Sequence, residues 1–170
     1  MIDLDAGWQT ERLEVEPLAP AHAAELAPAL NDVSLHRFIG GTPLTAEALT
    51  AWYERLAVRR SPNGDQLWGN WVLRVRQTGV AIGTLQATLP SRGPAAGPAE
   101  VAWVVITRDQ GHGYAKEAAR SLTARLTDAG WPVAAYIHPG HRASQRVALA
   151  AGLTVTDFVR DGEQCWIRHD

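Results

Sequence analysis

The sequence predicts an α+β (mixed α/β) domain, in which a single twisted, mostly antiparallel sheet carries helices on both faces. Two pairs of strand-like segments are separated by the short turn signals "QTG" and "RDG", which predicts two hairpins. The run "VAWVVI" has no polar alternation, which indicates a central strand covered on both faces. Apolar residues at helical spacing before and after these segments would supply the helices that cover the sheet.

Length and composition favour one domain spanning residues 1–170. A chain of 170 residues can bury roughly 70% of its unfolded surface without a metal or a disulfide. The 16 lysines and arginines nearly balance the 18 acidic residues, so no nucleic-acid partner is expected. Cys165 is the single cysteine and the first residues do not resemble a signal peptide, which fits a cytoplasmic protein. No apolar run approaches the roughly 20 residues of a membrane span.

The first half of the chain alternates strand and helix signals. "ERLEVEPL" alternates in the manner of a half-buried strand, and residues 31–43 read as a loop between two helices. Thr45 is a plausible N-cap for the second of these helices. The predicted helix faces are Ala23, Leu26, Ala27 and Leu30, then Leu49, Trp52 and Leu56.

The second half begins with a loose Pro- and Gly-rich connection, "PSRGPAAGP", and continues with the central strand. After this strand, apolar residues from Ala115 to Leu126 recur at helical spacing until "DAGWP". "VAAYI" predicts a strand, and "HRASQRVALAAG" a helix with Gly152 as its C′ residue.

The stretch "RDQGHGYAKEAAR", residues 108–120, has the composition of an anion site. A strand that runs through a glycine-bearing turn into a helix presents unpaired backbone N–H groups to a negative ligand. Gly111 and Gly113 would let a phosphate approach the backbone, although a turn without a ligand fits this pattern about as well. The stretch lacks the Gly-Lys-Ser/Thr ending of a Walker loop and the third glycine of a dinucleotide fingerprint, so ATP and NAD are not favoured.

"QGHGYA" resembles the Gln/Arg-x-x-Gly-x-Gly/Ala motif of the GNAT superfamily of acetyl-CoA-dependent N-acetyltransferases. "TERLEVEPL" and "AEVAWVVITRDQGHGYAKEA" resemble the opening strand, and the central strand with its pyrophosphate loop, of the branch that contains the ribosomal-protein N-terminal (alanine/serine) acetyltransferases. "HPGHRASQRVALAAGL" resembles the second cofactor segment of that branch. The resemblance runs from Thr10 to about Ile167 and implies a GNAT fold.

The resemblance implies an acetyl-CoA site built largely from backbone groups. Coenzyme A pyrophosphate would bind the N–H groups of a loop that Gln110 shapes, and the pantetheine arm would pair with the central strand. The implied loop residues are Gly111, His112, Gly113, Tyr114 and Ala115, and the strand residues are Val104, Val105 and Ile106. Charge-assisted hydrogen bonds of about 1.5–3 kcal/mol each would hold the cofactor without a lysine.

The second cofactor segment departs from the family pattern. His141 stands where the family usually has the Asn of Asn-x-x-Ser, and Ser144 follows it. An imidazole offers one donor or one acceptor to the pantetheine amides, whereas a carboxamide offers both at adjacent positions. Leu153 replaces the usual Phe, a change expected to affect only packing.

Acetyl transfer requires a neutral amine, a stabilised oxyanion and a proton for the departing thiolate. Glu100, at the start of the central strand, would act as a base through water in the family's arrangement, unless it is simply a solvated acid. The N–H of Val104 or Val105 would face the oxyanion. The usual tyrosine acid is missing, since Ala148 occupies that region, so Ser144 is the candidate donor unless it only caps its helix.

The acceptor amine is a protein N-terminus or a small molecule, and the loop with His36 and Arg37 would border its pocket in related proteins, unless both residues are simply solvated. Trp52, Trp68 and Trp71 would form either an apolar pocket wall or ordinary packing. A closing hairpin with exposed tryptophans would suit a homodimer.

A metal site, a serine hydrolase and a non-catalytic binding module are the alternatives to acetyl transfer. The spacing of His138 and His141 across Pro139 and Gly140 is poor for a metal site, so no metal is expected. Ser144 is not in a Gly-x-Ser-x-Gly elbow, which excludes the usual serine hydrolase motif. A non-catalytic GNAT module that binds coenzyme A or a metabolite stays open, because fold alone does not determine function.

Overall fold

A computed structural model describes residues 2–39 and 42–168, apart from the side chains of residues 37–39. Within these residues, eight strands form one sheet in the order β1-β2-β3-β4-β5-β6-β8-β7. The strands are β1 Trp8–Gln9, β2 Leu13–Pro17, β3 Gln66–Val75, β4 Ala81–Pro90, β5 Ala99–Val105, β6 Val133–Ile137, β7 Thr154–Arg160 and β8 Glu163–Arg168. The helices are α1 His22–Leu30, α2 Val33–Ile39, α3 Ala46–Ala57, α4 Tyr114–Asp128 and α5 Arg142–Ala150. Single 3-10 turns lie at Pro94–Ala96 and Thr107–Asp109.

Every neighbouring strand pair is antiparallel except β5 and β6, which are parallel. β5 and β6 pair only through Ala99 with Val133 and Glu100 with Ala134, at the first residues of both strands. Beyond these pairs the two strands diverge, and a cleft opens in the middle of the sheet. The mixed, mostly antiparallel sheet of the prediction is confirmed, and this cleft is the feature that positions the site.

Two apolar cores lie on opposite faces of the sheet. The larger core joins the inner faces of α4 and α5 to the sheet, with Trp71, Leu85 and Leu122 fully buried. The smaller core joins α1 and α3 to Val72 of β3 and Ala81 of β4. The helices therefore lie on both faces, as predicted.

The predicted turns and caps form as their local chemistry requires. Gly79 has a φ of 69° in the β3–β4 turn. Asp161 and Gly162 both have positive φ, at 53° and 82°, which fits the tight β7–β8 hairpin. The Thr45 hydroxyl accepts a hydrogen bond from the Ala48 N–H at 3.2 Å, and Gly152 lies in the left-handed region with a φ of 85° after α5.

Two expectations were wrong. Residues 31–43 are not a continuous loop, because α2 forms within them; the Asp32 carboxylate accepts the Ser34 N–H at 2.9 Å and helps begin this helix. The central strand is not covered on both faces, since Ala102 of β5 is exposed. The smaller core reaches only β3 and β4 on that face, so the outer face of β5 is left open toward a cleft.

Candidate active site

The cleft between β5 and β6 exposes backbone groups of β5. The Ile106 N–H donates to the Ile82 carbonyl at 2.8 Å, so it is occupied on the β4 side. Since backbone groups of successive residues point to opposite sides of a strand, Val104 also faces β4, and Val105 faces the cleft. The expectation that Val104, Val105 and Ile106 all offer backbone groups to pantetheine is therefore corrected: only Val105 of the three faces the cleft.

Gly83 allows β4 to approach β5 closely beside this point. A Cβ built on Gly83 would lie 2.0 Å from the Val104 carbonyl oxygen, far inside contact distance. Any side chain at this position would push β5 away from β4 and disturb the cleft, so the glycine has a steric role.

Gln110 connects the end of β5 to the loop that follows it. Its side-chain amide donates to the Val105 carbonyl at 2.9 Å. Gly111 and Gly113 then adopt φ values of 82° and 84°, which residues with a Cβ rarely adopt. A Cβ built on Gly111 would meet no atom within 4 Å, so this part of the loop is open to a ligand.

Gly113 is also the N-cap residue of α4, and no side chain caps this helix. The first turn of α4 therefore directs backbone N–H groups and the positive end of the helix dipole toward the open loop. His112 stacks on Tyr114 with ring centroids 5.8 Å apart. The five consecutive residues from Gly111 to Ala115 thus lie together around the start of α4.

Arg12 and Glu117 fix this loop to the N-terminal part of the chain. Arg12 donates to the His112 carbonyl at 2.9 Å and to the Glu117 carboxylate at 2.7 Å. The Thr10 hydroxyl and the Arg12 backbone N–H also donate to Glu117, at 2.5 and 2.8 Å. Burial acts to raise the pKa of Glu117, but hydrogen bonds from Thr10 and Arg12 outweigh it, so the pKa lies below its ordinary value.

The second cofactor segment lies at the start of α5. His141 is the N-cap residue without a side-chain capping bond, and its Nε2 lies 3.5 Å from the Ser144 hydroxyl. Burial, and then the neighbouring His138, lower the pKa of His141, so its neutral form dominates near pH 7. Ser144 is inside the first turn rather than at the cap, so the expectation that it only caps the helix is wrong.

An apolar cavity of about 200 Å³ lies beside the outer face of β4 and β5. Its walls come from α1, α2, α3 and the sheet, and its apolar lining includes Leu18, Leu30, Leu49, Leu56 and Val104. At about 30 Å³ for each water of liquid volume, the space equals roughly seven waters, close to the size of an aromatic side chain.

Two polar side chains in this wall have no hydrogen-bond partner among the described residues. The Tyr53 hydroxyl and the Asn70 Nδ2 are both buried and unpaired, and the two residues are 3% and 4% exposed. Burial raises the pKa of Tyr53 to about 12, so its hydroxyl stays protonated near neutrality. A buried polar group without a partner typically costs about 1–3 kcal/mol of stability. Such groups are rare in native proteins, so two of them in one cavity wall indicate a place where a ligand binds.

The predicted acceptor residues divide between the cavity and its surroundings. His36 lines the cavity, and its Nε2 lies 3.1 Å from the Leu30 carbonyl oxygen. The side chain of Arg37 lies outside the described residues. Of the three tryptophans, Trp52 lines the cavity, whereas Trp68 packs on the smaller core and Trp71 is fully buried in the larger one.

Glu100 lies on the same face of β5 as the cavity-lining Val104, but it has a partner. Arg160 of β7 donates to both Glu100 carboxylate oxygens, at 2.8 and 2.7 Å. The Arg160 guanidinium also lies 3.5 Å from the centroid of the Tyr136 ring. Since a strand rises about 3.4 Å per residue, Glu100 is about 14 Å from Val104 along β5, so any proton exchange with the acceptor would pass through water.

Sequence reasoning missed Tyr53, Asn70 and Arg160 as site residues. Tyr53 has a signal in the sequence, since it lies three and four residues from predicted face residues of the same helix. Asn70 and Arg160 reach the site only through strand pairing, which the sequence does not specify.

No group of three or more His, Cys, Asp or Glu side chains that could hold a metal ion occurs within residues 2–39 and 42–168. Over the same residues, no helix is long and apolar enough to cross a membrane.

The comparison with protein families identifies the chain. The family model of the acetyltransferase (GNAT) domain matches residues 12–154. The chain therefore belongs to the GNAT acetyltransferase family. It is an acetyltransferase that uses acetyl-CoA, as predicted. No curated protein matches the chain in sequence.

Solved structures show the same fold. An acetyltransferase from Agrobacterium tumefaciens is 22% identical with a TM-score of 0.75, and the match covers 97% of this chain and 95% of that one. The microcin C7 self-immunity acetyltransferase MccE, in complex with acetyl-CoA and AMP, is 14% identical with a TM-score of 0.75 over 94% and 93% of the two chains.

The ribosomal alpha-N-protein acetyltransferase RimL, in complex with coenzyme A, is also 14% identical with a TM-score of 0.75, over 94% of each chain. The predicted resemblance to the ribosomal-protein branch is thus matched at the level of fold.

Proposed function

We propose that this acetyltransferase transfers the acetyl group of acetyl-CoA to a primary amine, which attacks the bound thioester directly. The acceptor is a protein N-terminus or a small-molecule amine. An α-amino group, with a pKa near 8, loses its proton far more easily than a lysine amine near 10.4, so it needs less help from a base. The cavity beside β5 receives this acceptor, with His36 in its wall and Arg37 on the same helix.

The cofactor lies across the cleft between β5 and β6. The N–H groups of residues 111–115 bind the pyrophosphate at the uncapped start of α4, and the Val105 N–H stabilises the oxyanion. His141 offers its neutral ring to the pantetheine amides. The observation that carries this proposal is the combination of the parted strands with the open, positive-φ loop that follows β5.

Glu100 and Ser144 are the proposed proton carriers. Glu100 accepts the ammonium proton through water. While it does so, its carboxylate gives up its hydrogen bonds with Arg160. Ser144, in contact with His141, donates toward the departing thiolate. A thiolate with a pKa near 8.5 is a moderate leaving group, so this second role contributes less than the first.

The proposal is tested first by thermal unfolding with and without acetyl-CoA. At about 100 times its dissociation constant, a ligand adds about 2.7 kcal/mol, which raises the midpoint by roughly 5–10 °C in a domain of this size. Gly111→Trp should abolish this rise, because the side chain would fill the open space over the loop. Thiol release in the presence of amines then measures transfer.

Gly130→Trp is the matched control. Gly130 has the same φ of 82° and equally open space around its Cβ, but it lies at the other end of α4. This variant should keep the cofactor-dependent rise. An equal loss in both variants, or no rise in the unmodified protein, would contradict the proposed loop.

We also propose a cytoplasmic protein with one domain over residues 1–170. The one continuous sheet that joins β1 to β8 supports the single domain. The outer edge of β7, which has no neighbouring strand among the described residues, supports a homodimer.

A further inference from the structure

The lining of the acceptor cavity restricts which amines can bind there. Its wall contains two buried polar groups without partners, the Tyr53 hydroxyl and the Asn70 Nδ2. Both side chains come from rigid elements, α3 and β3, and the rest of the lining is mostly apolar. Buried polar groups normally have partners, so a ligand group that pairs with these two would relieve an existing desolvation penalty.

The sheet register gives the distance between this polar pair and the reaction. Asn70 pairs with Gln86 of β4, and Gln86 pairs with Ala102 of β5. Asn70 is therefore two strand spacings, about 10 Å, from β5. The cleft lies along the far edge of β5, so an amine at the thioester and a group at Asn70 must belong to opposite ends of one molecule.

The charge of the lining restricts the acceptor further. None of the described residues that line the cavity is an aspartate or a glutamate. A second ammonium group would be buried there without a carboxylate partner, which is strongly unfavourable. Polyamines and other polycations therefore do not fit this cavity.

We propose that the cavity selects a primary amine with an uncharged, mainly apolar body whose far end carries a neutral hydrogen-bonding group, and that Asn70 and Tyr53 recognise this group. This inference rests on the proposed function, since it assigns the cavity to the acceptor. The inference adds a substrate class and two specificity residues to the proposed function.

Three amines test the inference: tyramine, phenethylamine, which lacks only the hydroxyl group, and spermidine, a polycation. We expect the kcat/KM for tyramine, measured by thiol release with acetyl-CoA, to exceed that for the other two by about tenfold or more. Tyr53→Phe and Asn70→Leu should each lower the tyramine value about tenfold, yet change the phenethylamine value less than about twofold.

Thr123→Val is the matched control. The Thr123 hydroxyl is also buried and unpaired, but it lies on α4 and does not line the cavity. This variant should leave kcat/KM unchanged for all three amines. A preference for spermidine, or an equal loss for tyramine and phenethylamine in the Tyr53 and Asn70 variants, would overturn the inference.

Equilibrium binding separates this inference from the proposed function. Calorimetry measures the binding of tyramine to the protein saturated with coenzyme A, without any turnover. Binding that depends on Tyr53 and Asn70, without thiol release from any amine, would support the recognition and contradict the transfer. Transfer to other amines, with no binding of tyramine, would keep the transfer and overturn the recognition.

Discussion

Arg160 donates to both oxygens of the Glu100 carboxylate, and in the proposed mechanism it competes there with the proton that an attacking amine must lose. The two side chains are 37% and 45% exposed, so the pair contributes at most about 1 kcal/mol to stability. A pair of this strength can exchange with water during turnover. The contact with Arg160 therefore leaves the Glu100 carboxylate free to exchange with water.

If Glu100 is the base, Glu100→Gln lowers kcat about 10²-fold and leaves the acetyl-CoA-dependent rise in the unfolding midpoint unchanged. Arg160→Met should change kcat by less than about fivefold, because it removes an exposed ion pair and a contact with the Tyr136 ring but not the proposed base. Steady-state kinetics with both variants provides the measurement. Equal losses of activity in the two variants, together with equal losses of stability, would make the pair a structural link between β5 and β7.

Residues whose role depends on local backbone chemistry could be predicted from the sequence. Gly111 and Gly113 form the glycine-bearing turn that the sequence predicted before α4, and Thr45 caps α3. Asn70 and Tyr53 could not be predicted as a pair, because they are joined only by the packing of α3 on the sheet. Likewise, a sequence does not reveal that Arg160 will reach Glu100.

At the level of elements, the final hairpin leaves the sheet with an unprotected edge. β7 is the last strand of the sheet, and Val155, Phe158 and Val159 on it are 50–59% exposed. An edge strand with apolar side chains readily pairs with another chain. A second copy of this chain that adds its own β7 would cover both edges at once, in a symmetric contact.

We therefore expect sedimentation equilibrium to show a dimer, and Val159→Lys to shift the protein toward the monomer because the charge would be buried in the contact. Leu149→Lys is the control, since Leu149 on α5 is 59% exposed, compared with 54% for Val159. The Leu149→Lys variant should stay dimeric. A monomeric unmodified protein, or an equal effect of both substitutions, would contradict the dimer.

Elements with strong periodicity were predictable, and the exceptions have physical reasons. α4 buries a long apolar stripe and α5 buries Val147 and Ala148, so their spacing was visible in the sequence. α2 was missed because it has only seven residues between a polar start and a glycine pair. The sequence predicts β5 to be covered on both faces, because its apolar residues suggest a second core. In the structure these residues instead line an open cleft and a cavity.

Over the whole molecule, carboxylates connect elements that are distant in sequence. Glu25 joins α1 to Arg74 of β3 and to the Ala81 N–H of β4. The hydrogen bonds from Arg74 are the main reason that the pKa of Glu25 lies below its ordinary value. Glu117, whose pKa is also lowered, joins α4 to Thr10 and Arg12. A folded pKa below the unfolded one means that the stabilisation is complete above the ordinary pKa and disappears as the pH falls through the folded value.

The free energy of unfolding should accordingly be nearly constant above about pH 5.5 and decrease between about pH 5 and pH 3. Denaturant titrations across this range measure it. Glu25→Gln and Glu117→Gln should each lower stability near neutrality and flatten the acid dependence. Glu54→Gln, on the exposed side of α3, is the control and should retain the full slope. An unchanged slope in both test variants would show that other groups cause the acid sensitivity.

The parted strands β5 and β6 have a consequence for how the protein works through a cycle. A sheet normally gains stability from an unbroken ladder of backbone hydrogen bonds, but here the ladder stops after two pairs in its centre. In the proposed binding mode the pantetheine arm occupies that gap and supplies amide partners of its own. Binding of acetyl-CoA in this mode would complete the sheet, and release of coenzyme A would leave β5 and β6 apart again.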